Sequence, residues 1–292
     1  MQIIRIHRLT LVLAAALAAG CAGTGTRSDD AAPAASAAGG ALSIPETALD
    51  ALPLEHLLAA EFALREDNLD AAASAYLEAA RNSRQVEIAR RATRVNLAAQ
   101  RWPEAAEALA IWRSLAGTDG AGDLGQAAAV LAMGQGNGDA ALVELKALLA
   151  PGGAPATRLA AGALEAAPDR GLAVQLLERL ADDGLPDDLA VLIGLSQLAL
   201  RFEHAGLAAR LAERGSQRMP DSPEIWFWRA RLANAAGDAE AARTILEQAV
   251  ATNPDNPDIR RTYAVLLKNE LGDAAGAAAS LADLPPDDET LA

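Results

Sequence analysis

Groups able to act as nucleophiles, bases or metal ligands are few in this chain, and they are scattered. Beyond the first twenty residues the only histidines are His56 and His204, and there is one cysteine in all. A Ser-His-Asp triad or a histidine metal site needs such groups in convergent sets, so these two histidines read as core or surface side chains. Gly134-Gln135-Gly136-Asn137-Gly138-Asp139 has the glycine density of a phosphate loop. A phosphate loop also needs a preceding strand and a Lys-Ser/Thr pair after the glycines. Here a helical run precedes and Ala140-Ala141 follow, which makes it a loose turn between helices. The pairs Asp182-Asp183, Asp187-Asp188 and Asp287-Asp288 lack the alternating ligand spacing of a calcium loop and read as solvated loop or cap residues. No catalytic residue, metal or cofactor is expected.

The elements that hold these residues are helices. Hydrophobic residues make up 51% of the 292, yet aromatics only 3%. The apolar share is mostly Ala and Leu, the strongest helix formers, while residues that favour strands are sparse. From Pro53 onward the chain repeats. Counted from Pro223, the residues Trp226, Ala230, Gly237-Asp238, Ala242, Leu246, Ala249 and Pro254 fall at 4, 8, 15–16, 20, 24, 27 and 32. Small residues at 8, 20 and 27 let two antiparallel helices approach. Gly-Asp ends one helix and caps the next, and Pro254 stops the second. The unit from Leu189 keeps the frame with Leu192, Leu195, Ala208, Ala212 and Pro220, and Pro220 and Pro254 are 34 apart. The next unit, from Pro257, carries Tyr263, Ala264 and Gly272-Asp273 with one extra residue before the turn.

This pattern resembles the tetratricopeptide consensus. The resemblance implies an all-α, TPR-type α-solenoid over residues 51–285, a right-handed superhelix of about seven antiparallel helix pairs with a concave inner face. The units over 53–86 and 86–120 match less closely. Those over 124–153 and 154–187 are degenerate, with Gly138-Asp139 and Pro168-Asp169 as turns.

Residues 1–20 read as a signal peptide. Arg5 and Arg8 precede the uncharged run Leu9 to Ala19, about 11 residues, where a spanning helix needs roughly 20. The run ends in Leu17-Ala18-Ala19-Gly20-Cys21, which resembles a lipobox, the cleavage site before a lipid-modified cysteine. Cys21 is the chain's sole cysteine, so no internal disulfide can form. Ala22 stands where an aspartate would resemble an inner-membrane retention signal. The resemblance therefore implies a lipid anchor on Cys21, in the outer membrane of a Gram-negative cell and facing the periplasm. Residues 21–50, mostly Ala, Gly, Ser, Thr and Pro, read as a tether between lipid and body. Cleavage removes Arg5 and Arg8 and no acid, taking the net charge from −14 to −16. So acidic a body is a poor match for nucleic acid.

In this architecture positions 2, 5, 9, 12 and 13 of the first helix tend to face the concave side. Those positions give Arg90, Arg94, Arg158, Arg201, Phe227, Arg231, Arg261 and Lys268. Such a basic groove would suit carboxylates of a partner protein through bidentate bonds. Equally, these cations could be ordinary solvated residues or partners of nearby glutamates. Trp226 takes the position that packs between helices.

Leu57 to Arg65, Ala72 to Arg81 and Val86 to Ala92, taken with the lipobox, resemble the N-terminal half of outer-membrane tetratricopeptide lipoproteins of pseudomonads and relatives. The best-understood member is an adaptor for a periplasmic carboxyl-terminal processing protease and brings it to peptidoglycan hydrolases. The resemblance implies a lipid-anchored interaction scaffold in envelope or peptidoglycan-hydrolase turnover. Its partners would be other proteins, among them a protease and cell-wall hydrolases. An assembly factor for a pilus or secretin is the alternative, and a wall-active enzyme would need clustered carboxylates in a pocket. The chain ends in an acidic tail over 286–292.

Overall fold

A computed structural model of the chain describes residues 53–117, 120–269 and 271–282. The signal peptide 1–20, Cys21, the tether over 21–50 and the tail over 286–292 lie outside the described residues. Those described form fourteen helices and no strand. They are α1 (Leu54–Arg65), α2 (Leu69–Arg81), α3 (Val86–Ala98), α4 (Trp102–Ala116), α5 (Ala121–Gly134), α6 (Gly138–Leu149) and α7 (Gly153–Glu165). There follow α8 (Arg170–Asp182), α9 (Leu189–Arg201), α10 (Ala205–Arg218), α11 (Pro223–Ala235), α12 (Ala239–Thr252), α13 (Pro257–Asn269) and α14 (Ala274–Leu281). Consecutive helices pair, and each pair stacks on the next, so odd-numbered helices form one layer and even-numbered helices the other.

One residue marks every pair. Four positions after each even helix's N-cap stands an alanine: Ala72, Ala105, Ala141, Ala173, Ala208, Ala242 and Ala277. Six of these are wholly buried and Ala277 is 5% exposed. A larger side chain there would push the partner helix away, so the seven equivalent sites keep small volume. The two degenerate units are thus full members of the stack.

The turns inside the pairs are equally regular. The residue just before the even helix's N-cap has positive φ in six of seven: Asp67, Gln100, Gly136, Glu203, Gly237 and Gly272. In five of them the N-cap N–H closes back onto a carbonyl five residues earlier, as with Asn137 onto Ala132 and Asp238 onto Ala233. This Schellman-type closure satisfies carbonyls that the helix end leaves open. The cap side chain then takes the first N–H groups of the next helix: Asn68 from Ala71, Asn137 from Ala140 and Asp238 from Ala241. The glycine-rich segment at 134–138 is such a turn. It is closed rather than loose, because the Asn137 N–H bonds the Ala132 carbonyl at 2.8 Å, while Gly134 at the end of α5 lies so close to the Trp102 ring that a Cβ would overlap it.

Left-handed backbone costs a non-glycine residue about 1–2 kcal/mol, against a glycine entropy penalty of roughly 0.5–1 kcal/mol. Glu203 is exposed at φ 65°. Glu203→Gly is expected to raise stability by about 0.5–1 kcal/mol, read from the urea midpoint. A lowered midpoint would contradict the assigned turn.

The seventh turn, between α7 and α8, departs from this pattern. It carries Ala167-Pro168 and no positive φ, and α7 packs more closely on α5 and α9 than on α8. Glycines set this close approach. A Cβ on Gly194 would overlap Thr157 Cγ2, and one on Gly162 would lie 2.6 Å from Gln126 Nε2. α8 instead contributes Leu176, Leu177 and Leu180, all fully buried. Their bulk fills the space between α8 and its neighbours. The centre of the stack is therefore a leucine core, whereas α1–α5 enclose an alanine-rich core around Leu109 and Trp112.

Candidate partner-binding trough

The odd layer presents an open trough from α7 to α13. Its first depression, about 700 Å³, is lined by Thr157 and Arg158 of α7, by Leu189, Ile193, Gln197 and Arg201 of α9, and by Glu224 of α11. Glu224 is shared with the next, about 440 Å³, where Phe227 of α11 meets Asp258, Arg261 and Val265 of α13. Arg261 and Val265 continue into a third, about 620 Å³, with Lys268, Asn269 and residues of α14.

Buried hydrogen bonds hold α11 in place. Trp228 Nε1 donates to Ser196 Oγ at 2.8 Å, and that hydroxyl donates to the Ala208 carbonyl at 2.8 Å. Three helices, α9, α10 and α11, are thereby joined. Trp226, 6% exposed, donates to the Pro220 carbonyl, which Asn253 Nδ2 also reaches. With both tryptophans directed into the stack, Phe227 between them lines the trough, half-buried, under the Arg231 guanidinium 5.6 Å from its ring centre.

The cations expected in the groove divide into two sets. Arg158, Arg201, Arg261 and Lys268 line the trough together, and Arg231 joins them through Phe227. Arg90 and Arg94 stand apart on α3, facing Asp123 of α5 at 3.7 and 3.1 Å. Carboxylates engage most of them: Arg201 bonds Glu165 at 2.7 Å and Arg261 bonds Asp258 at 2.8 Å. For these four arginines, pairing with nearby acids is the arrangement present. Among the described residues no hydrogen bond or ion pair reaches Arg158 or Lys268, and both are exposed. The Ser222 hydroxyl, followed by its own backbone N–H, holds the Glu224 carboxyl below the usual range.

Several trough residues went unread in the sequence. Glu224 and Asp258 occupy position 2 of their units, Ile193 position 5 and Val265 position 9. The groove frame contains all four, though none is a cation. Position 2 falls in the first helical turn, where the macrodipole favours a carboxylate.

Among the described residues no three His, Cys, Asp or Glu side chains are placed to hold a metal. His56 is partly buried on α1, and His204 is exposed before α10. No described helix is long and apolar enough to cross a membrane.

The tetratricopeptide repeat family matches residues 199–266 and 233–290, the stretch that carries α10 to α14. The helix pairs upstream share its alanine, and all but α7–α8 share its left-handed turn. The chain is a TPR-type α-solenoid. Solved structures similar to this solenoid include MamA AMB-1, at 17% identity over 58% of this chain and 96% of that one, TM-score 0.32. A tetratricopeptide repeat protein from Parabacteroides merdae is 16% identical over 82% and 95%, TM-score 0.33. The C-terminal part of a TPR repeat-containing protein from Cytophaga hutchinsonii is 17% identical over 80% and 96%, TM-score 0.33. No curated protein matches the sequence. The solenoid is a scaffold suited to protein–protein contacts, a fold class typically without catalysis of its own.

Proposed function

We propose that this solenoid is a lipid-anchored scaffold that seats segments of other proteins along its odd-layer trough. The observation that carries the reading is the trough itself. It is open, floored by Ile193, Phe227 and Val265, rimmed by polar side chains and built on rigidly joined helices. Apolar anchors inside a polar rim are the anatomy of a protein interface. The lipobox-like end at Cys21 supports attachment to the outer membrane on its periplasmic side. Within that compartment the resemblance of the first three helices supports an adaptor in envelope or peptidoglycan-hydrolase turnover, bringing a protease to wall hydrolases.

The test is a pull-down from solubilised envelope, comparing wild type with Phe227→Glu and with Arg231→Glu/Arg261→Glu. A charge placed over the floor, or reversed at its rim, costs on the order of 2 kcal/mol at an interface centre. Captured partners should therefore fall at least tenfold, with the helical circular dichroism unchanged. Identical partners from all three proteins would remove the trough reading.

A further inference from the structure

The first helix carries a surface that the trough does not use. Eight large apolar side chains are exposed among the described residues, and three of them stand on α1: Leu54 at 53%, Leu58 at 50% and Phe62 at 61%. No other described helix holds more than one. Spaced by four, the three form one stripe, on the side of α1 away from Ala60 and Ala63, which pack into the core. Every later odd helix packs against the helix before it, whereas no described helix precedes α1. The end of a repeat stack needs a polar outer face, and clustered apolar side chains on a surface mark a contact site.

The charge beside the stripe is mostly of one sign. Glu55, Glu66 and Asp67 are exposed, and among the described residues no ion pair or side-chain hydrogen bond reaches them. Glu61 accepts a hydrogen bond from the Tyr76 hydroxyl, to which Arg91 Nε also donates at 3.4 Å. Arg65 is the only lysine or arginine of α1. Anionic lipid is repelled by such a rim, and a second copy would bring the same acids to meet it. The form of the occupant follows from the backbone. An extended segment laid on a helix finds no edge to bond, so its N–H and C=O groups under the contact would lose water without a partner. A helix satisfies its own groups and can interlock its side-chain ridges with those of α1. From Leu54 to Phe62 the stripe runs about 12 Å, or about two helical turns.

We propose that α1 binds a basic amphipathic helix of another protein, which lies alongside it as one more layer of the stack. Its apolar stripe covers Leu54, Leu58 and Phe62, and its lysines or arginines meet Glu55, Glu66 and Asp67. The apolar contact supplies affinity, and the acids select a basic helix over an acidic one. This surface is separate from the trough, so either can fail without the other.

Three fluorescein-labelled, alanine-rich peptides of about sixteen residues, long enough to form a helix in water, test it by anisotropy. The protein is the full chain carrying Cys21→Ala, so that no lipid competes for an amphipathic peptide. One peptide has a leucine stripe flanked by lysines. The second has glutamates in place of the lysines, and the third scrambles the first so that no apolar face remains. At low salt the first should bind at least tenfold more tightly than either other, and its lead over the second should shrink several-fold in about 0.5 M salt. Leu58→Ser/Phe62→Ser should weaken the first at least tenfold and Glu55→Gln/Glu66→Gln several-fold, with helical circular dichroism unchanged. Phe227→Glu should have no effect. Equal binding of the lysine peptide and either other would overturn the proposal, as would binding that Phe227→Glu removes and Leu58→Ser/Phe62→Ser does not. Sedimentation of the same chain with phosphatidylcholine vesicles, or as a dimer, that is lost in Leu58→Ser/Phe62→Ser would assign the stripe to lipid or to a second copy and overturn it too.

Discussion

Trp112→Ala is expected to destabilise the protein by about 3–5 kcal/mol, the range for removing a buried aromatic side chain. Trp112 is 2% exposed and is the largest of the fully buried side chains. It lies in α4 within the core shared with Ile88, Ala92, Leu109 and Leu131, which spans the first two helix pairs and α5. Alanine-rich helices around it have little side-chain length with which to fill the void, so the cavity persists and the cost stays at the upper end. In a stack of repeats each unit is stabilised mainly by its neighbours. The loss should therefore be local. Amide hydrogen exchange should accelerate across α3 to α5 and stay near wild type in α9 to α12, and urea unfolding should broaden or split. Phe62→Ala is the control. At 61% exposure it should stay within about 0.5 kcal/mol of wild type. A cost under 1 kcal/mol for Trp112→Ala, or exchange raised uniformly along the chain, would contradict this account of the core.

How much of this architecture the residues announce differs between units, for physical reasons. The pair α11–α12 is plain because each of its structural needs is met by a diagnostic residue: Pro223 at the start, Gly237 in the turn, Asp238 at the cap and Pro254 at the stop. The pairs α5–α6 and α7–α8 meet the same needs by other means. Asn137 and Asp169 cap, Pro168 replaces the left-handed residue, and close helix contact is supplied by Gly162 and Gly194 in the odd layer. What these pairs keep is the alanine four residues past the cap, Ala141 and Ala173, wholly buried in both. In a chain so rich in alanine, seven structurally required alanines are hidden among many that are merely helix formers. Left-handed turns were concealed in the same way at Gln100 and Glu203, where no glycine marks them.

The trough was legible in outline. The repeat frame put Phe227, Arg261 and Lys268 on one face, and all three line it. Which cations are free to meet a partner was not legible, because that depends on acids from other helices. Glu165 reaches Arg201 across 36 positions and Asp123 reaches Arg94 across 29. Spacing inside one helix pair carries no information about such bonds. Arg158 and Lys268 carry no such bond among the described residues.

Cys21→Ala is expected to move the protein from the envelope pellet to the soluble fraction and to abolish labelling with radioactive palmitate. Each buried acyl methylene contributes about 0.8 kcal/mol, and one chain alone gives only reversible attachment, whereas two or more hold durably. Everything durable would thus depend on one sulfur. The rest of the chain offers little to replace it. With residues 1–20 removed the net charge is −16, which anionic lipid repels rather than attracts. The exposed apolar stripe on α1 is limited to Leu54, Leu58 and Phe62, too short a face to rival a pair of acyl chains. The shift should accordingly be nearly complete and should not depend on salt. Solenoid stability, measured on the purified variant, should not change, since the residue lies more than thirty positions before α1. Retained label would remove the lipid assignment outright. Lost label with the protein still pelleting would place the attachment in a protein partner instead, and adding Phe227→Glu would then release it.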